Sequence, residues 1–112
     1  MEITRHVGDF CFFGSAGGIE IGNDVMMGQN VRFHAQNHNY SGEELIREQG
    51  VNSKGIKIGN NCWIGSGVVF LDGVTIGNGC VIGSNTVVTK SFPDNSVVVG
   101  YAGKKLKDRF EQ

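Results

Sequence analysis

From Ile58 the chain divides without a gap into sixes: IGNNCW, IGSGVV, FLDGVT, IGNGCV, IGSNTV and VTKSFP. The first place of each six holds Ile58, Ile64, Phe70, Ile76, Ile82 and Val88, and the fifth holds Cys62, Val68, Val74, Cys80 and Thr86. A six-residue period fits neither a 3.6-residue helix nor plain strand alternation. It is the signature of a parallel β-helix, in which three hexapeptides close one triangular coil and each coil stacks about 4.8 Å above the last. Residues eighteen apart then form interior columns: Ile58 under Ile76, Ile64 under Ile82, Phe70 under Val88, Cys62 under Cys80. Glycine, which numbers 18 in a chain with one proline, and asparagine would serve corners that need positive φ.

The same frame returns upstream as IGNDVM, MGQNVR and the start of FHAQNH, with Ile21, Met27 and Phe33 first and Val25 and Val31 fifth. The two blocks differ in phase by one residue, so an insertion separates them. The polar, aperiodic stretch at about 39–57 is that loop. Carried further back, the frame puts Ser15 and Asp9 where large residues belong, with Val7, Phe13 and Ile19 in the fifth place. A distorted or capped first coil is therefore expected. The charged tail at about 101–112 has Leu106 and Phe110 four apart and reads as a short helix closing one end.

At 112 residues the chain is one domain, and a net charge of -1 gives no basic field for nucleic acid or an anionic membrane. No stretch reaches the roughly 20 apolar residues of a membrane span, and the start MEITRH lacks a signal-peptide core. A cytoplasmic location is expected. Cys11, Cys62 and Cys80 are odd in number and show no CxxC spacing, so all three read as reduced, the last two as small core residues.

The segments NHNY at 37–40, KGIKIGNNCWIGSGVVFLDGVTIG, and CVIGSNTVVTKSFPDNSVVVG with its basic tail resemble the hexapeptide-repeat O-acetyltransferases that act on galactosides, maltose and polysaccharide sugars. Hexapeptides alone speak only for the fold. The resemblance implies a left-handed β-helix, a homotrimer with sites between chains, acetyl-CoA as donor, a carbohydrate acceptor and no metal. Two departures stand out: the family's GxPAK segment is Gly100, Tyr101, Ala102, Gly103, Lys104 here, and the helical segment that precedes the coils in many relatives is not seen.

Transfer of an acetyl group to an alcohol needs a base, oxyanion donors and a seat for CoA. His38, at the junction of coil and loop, matches the family's catalytic histidine; on its residues alone a solvated loop histidine competes with that role. His34 falls at an outward position. The resemblance puts oxyanion donation near Ser66, the pantetheine and adenine route at Ser84, Thr89 and Lys90, and the CoA phosphates near Lys104 and Lys107. Trp63, two positions outward from a core residue, lines a CoA or subunit surface or simply packs. Asp9 and Asn37 are acceptor candidates, while Glu43, Glu44, Arg47 and Glu48 read as loop solubilisers. No cysteine but Cys11 lies outside the expected interior, so direct transfer without an acetylated enzyme is expected.

Two other readings remain at this point. A γ-type carbonic anhydrase uses this fold and three histidines around a metal, for which His34 and His38 offer a pair and His6 a distant third. A catalytically silent trimeric scaffold or truncated fragment would account for the short N-terminus.

Overall fold

A computed structural model describes residues 5–111 and shows a parallel β-helix with three faces. Face A stacks β1 (Arg5–Val7), β4 (Val25–Met27), β7 (Trp63–Ile64), β10 (Val81–Ile82) and β12 (Ser96–Val99), closed by β13 (Lys104–Asp108). Face B stacks β2 (Phe12–Gly14), β5 (Arg32–His34), β8 (Val69–Leu71) and β11 (Val87–Val88). Face C stacks β3 (Ile19–Ile21), β6 (Ile56–Ile58) and β9 (Thr75–Ile76), and Phe92 continues it by a bridge to Ile76. Every pairing in these stacks is parallel except that of β12 with β13.

The expected columns form the core. Ile64 lies under Ile82, Phe70 under Val88 and Ile58 against Ile76, all buried. Phe13, Phe33 and Phe70 stack with centroids 5.0 and 4.8 Å apart. Corner residues Asn30, Gly67 and Asn85 take φ of 56°, 73° and 61°, the left-handed turn that asparagine and glycine tolerate.

The first coil corrects the frame read from the sequence. Val7 pairs with Met27 and Phe13 with Phe33, so both occupy first-position columns and not fifth ones; Ile19, paired with Ile56, keeps the fifth place. The corner between β2 and β3 carries two extra residues, which shifts everything before it. Cys11 thereby falls in the fifth column and packs partly against the core.

The tail also departs from expectation. No helix forms at Leu106 and Phe110; Lys104–Asp108 runs antiparallel to β12. An open strand edge carries unpaired N–H and C=O groups, and a returning strand satisfies them where a helix laid across the end would not. Gly103 is buried over Thr86 and Val98 as the chain turns back, and its N–H donates to Val87 O at 2.7 Å. The register slips between Val97 and Val98 and leaves Leu106 outward as the extra residue. Three lysines on this strand keep the outer edge unattractive to further strands.

The loop leaves after Ala35 and returns at Ile56. It contains one 3-10 turn, Ile46–Glu48, and is pinned by Gln49, whose side-chain amide donates to Gly42 O and Glu44 O. No helix among the described residues is long and apolar enough to cross a membrane.

Candidate active site

His38 sits where the loop doubles back on itself. Its backbone bridges Val51 in antiparallel fashion, Asn52 N–H donates to Asn37 O at 2.9 Å, and Asn37 N–H donates to Ser53 Oγ at 3.2 Å. Asn39 is tied in from its side chain, giving Nδ2–H to Gln49 O at 2.9 Å and accepting from Asn52 Nδ2 at 2.8 Å. The backbone of residues 37–39 is thus pinned while the His38 ring stays exposed.

The ring faces a groove of about 190 Å³ lined by Phe12, Gly14, His34, Gln36 and His38. Gln36 Nε2 lies 3.4 Å from His38 Nε2. An amide nitrogen can only donate, so this contact is a hydrogen bond in the His38 tautomer that leaves Nε2 bare, the form a general base requires. Gln36 lies one residue outside NHNY, so the motif does not point to it; its i, i+2 spacing from His38 is the signal the sequence carries. His34, read as a surface position, is half-buried in the same groove with its ring 5.3 Å from that of Phe12.

The remaining candidates fall on different parts of the prism. Asp9, Ser66 and Ser84 share one vertical corner between faces A and B: Asn30 N–H donates to Asp9 O, Gly67 N–H to Gln29 O and Asn85 N–H to Ser66 O, each at 2.8–2.9 Å. Ser66 Oγ accepts Gln29 N–H at 3.1 Å, which leaves its own hydrogen to donate. Thr89 and Lys90 follow β11 at the corner of faces B and C, the corner from which the His38 loop springs two coils earlier. Lys90 Nζ stands 5.7 Å over the Phe92 ring. Trp63 projects from face A, exposed, into a groove with Met26, Val81 and Arg109. Lys104 lines a separate groove of about 450 Å³ with Tyr101, Lys105 and Leu106, and Lys107 lies opposite Val97 outside that lining. Lys105, not singled out from the sequence, stands beside Lys104 and is bound to Asp108 at 2.6 Å; that contact holds the Asp108 carboxyl below its ordinary range. Within one chain, therefore, no groove collects His38, Ser66, Lys90 and Lys104 together.

The cysteines are packed. Cys62 Sγ–H donates to Gly77 O at 3.3 Å and Cys80 Sγ–H to Pro93 O at 3.2 Å. Contact with Cys80 and burial push the Cys62 thiol up, and contact with Cys62 draws Cys80 to about 7, though Cys80 has no exposed surface. Cys11 is half-buried with Sγ 3.5 Å from Gly28 O. His6 belongs to face A and pairs with Met26, away from His34 and His38, and the described residues contain no group of three metal-binding side chains.

Residues 55–90 match the family described as bacterial transferase hexapeptide (six repeats). The chain is similar to the galactoside O-acetyltransferase of Lactococcus lactis, 42% identical over 73% of this chain and 39% of that protein. It is similar also to the galactoside O-acetyltransferase of Escherichia coli, 40% identical over 80% of this chain and 44% of that one. It superposes on a maltose O-acetyltransferase from Clostridium difficile with TM-score 0.81 and 37% identity, over 96% of this chain and 60% of the other. The chain spans about half the length, or less, of the curated relatives it matches. These likenesses bear out the resemblance carried by NHNY and the repeats, and with them goes the left-handed winding.

Proposed function

We propose that this hexapeptide-repeat chain, related to sugar O-acetyltransferases, moves an acetyl group from acetyl-CoA to a hydroxyl of a carbohydrate acceptor, with His38 as general base. The observation that carries the reading is the groove at His38, where the exposed imidazole lies 3.4 Å from the Gln36 amide beside room for a small polar molecule. An acceptor hydroxyl replaces the Gln36 amide at Nε2, gives its proton to the ring as its oxygen bonds to the acetyl carbon, and the ring returns that proton to the departing CoA thiolate. Direct transfer is supported by the burial of Cys62 and Cys80 and by the engagement of Cys11 with the backbone, which leave no activated thiol beside the base.

Asp9 and Asn37 are assigned to the acceptor. Ser66 donates toward the oxyanion, and Ser84, Thr89, Lys90, Lys104, Lys107 and Trp63 serve CoA. Lysines suit its phosphates as mobile point charges. Because these groups lie on two corners and one face of a single chain, the reading entails a homotrimer in which one chain's A/B corner meets its neighbour's His38 groove. Incubating the protein with acetyl-CoA and methyl β-galactopyranoside tests the reading. Acceptor-dependent release of CoA with an O-acetylated sugar by mass spectrometry, and intersecting lines in two-substrate kinetics, are expected. Thioester hydrolysis indifferent to the sugar, or parallel lines with a trapped acetyl-enzyme, would overturn it.

A further inference from the structure

Phe12 and Gly14 stand two residues apart on β2 and point out of the same face of the sheet. Phe12 is 48% exposed. Gly14 has no turn to make: its φ is not in the left-handed region, so the backbone does not call for glycine. Space does. A Cβ on Gly14 would lie 2.8 Å from Phe12 Cε2, 3.3 Å from Cζ and 3.2 Å from Phe33 O, so the phenyl ring is folded along the strand over the bare glycine and makes the closest of these contacts. There it meets the His34 ring at 5.3 Å with a 37° tilt, His34 being the residue paired with Gly14 on the next coil. The ring becomes one wall of the groove whose other lining groups are Gln36 and His38.

An aromatic wall facing polar groups that include a candidate base is the chemistry that holds a pyranose: its flat C–H face lies on the ring and its hydroxyl rim meets the hydrogen-bonding side. At about 190 Å³ the groove is smaller than the roughly 300–1,000 Å³ of whole-ligand sites and takes one sugar ring. We infer that Phe12, laid over Gly14, is a stacking platform that selects a cyclic over an open-chain acceptor and presents its hydroxyl to His38. This rests on the acetyl-transfer reading and adds to it the specificity determinant.

The test compares wild type, Phe12→Ala, Gly14→Ala and the double variant with methyl β-galactopyranoside and with galactitol, which carries similar hydroxyls without a ring. Each single substitution is expected to raise the galactoside KM on the order of tenfold, with the acetyl-CoA KM and the galactitol kcat/KM within about twofold of wild type. The double variant should lie close to Phe12→Ala, because two of the three close contacts of a Gly14 Cβ disappear with the ring and the third, to Phe33 O at 3.2 Å, asks for a shift of only a few tenths of an ångström. Phe12→Leu keeps an apolar side chain without a flat face and should lose the same affinity, which guards against a folding defect in the alanine variant. Equal losses for both acceptors, additive effects of Gly14→Ala and Phe12→Ala, or an unchanged galactoside KM would overturn the platform. Ligand-detected NMR of methyl β-galactopyranoside on the same proteins reads the platform independently of turnover. A wild type that binds the sugar through Phe12 yet transfers no acetyl group would refute the transfer reading alone.

Discussion

Gly65→Ala probes the spacing of the coils directly. A Cβ at Gly65 would stand 2.7 Å from Ser84 N and 2.9 Å from Ser84 Cα, both in the backbone of the coil above. Ordinary contact begins at 3.4 Å, so the two coils must part locally by roughly 0.7 Å. Two ladder bonds span that gap, Gly65 N–H to Ile82 O and Asn85 N–H to Ser66 O, each at 2.8 Å. Parting stretches both toward the limit of useful hydrogen bonding, and at about 0.5–1.5 kcal/mol each the loss is about 1–3 kcal/mol. Gly83, one coil above in the same column, is the control: there a Cβ meets the Val99 methyl at 3.0 Å, which can swing aside, and Val98 O and Thr86 Oγ1 at the ordinary distances of 3.6 and 3.7 Å. Urea unfolding should show Gly65→Ala losing about 1–3 kcal/mol with an unchanged m-value, and Gly83→Ala less than about 1 kcal/mol. Equal costs at the two positions would refute the argument from coil contact.

Phe70, fully buried between Phe33 and Val88, should cost about 3–5 kcal/mol on truncation to Ala, read by the same unfolding assay; a cost under about 1 kcal/mol would deny it the core column. Cys62 and Cys80 should react with a thiol reagent no faster than the protein unfolds, because access and not thiol acidity limits them; rapid labelling of both in the folded protein would contradict their place inside. Changing Lys104 and Lys107 together to Ala should raise the acetyl-CoA KM several-fold and leave kcat comparatively intact, as loss of uniform binding does; an unchanged KM removes them from the donor site.

The repeats were legible because a large residue every six places and a small one beside it are imposed by the coil itself, and the columns through Ile64, Phe70 and Ile76 stood where the period put them. The first coil was not, since a corner lengthened by two residues among Ser15, Ala16, Gly17 and Gly18 shifts the frame of Val7 and Phe13 without altering any local signal. That misplacement also hid Phe12, which in the assumed frame had no reason to stand in the His38 groove. At the other end, Leu106 and Phe110 carry a helical spacing, but the spacing does not reveal that β12 offers an unpaired edge, and tertiary hydrogen bonding decided the outcome. His38 was singled out from its motif. Gln36, whose amide lies 3.4 Å from the His38 ring, falls outside the motif and comes beside it only once the loop folds back.

The most direct test of the account is the turnover number of His38→Ala in acetyl-CoA-dependent acetylation of methyl β-galactopyranoside. A positioned general base contributes about 10² to 10⁴ in rate, so kcat should fall by that order while oligomeric state and CoA binding stay those of the wild type, and His34→Ala should cost far less. A His38→Ala enzyme within tenfold of wild-type kcat would contradict the assignment of His38 as the base.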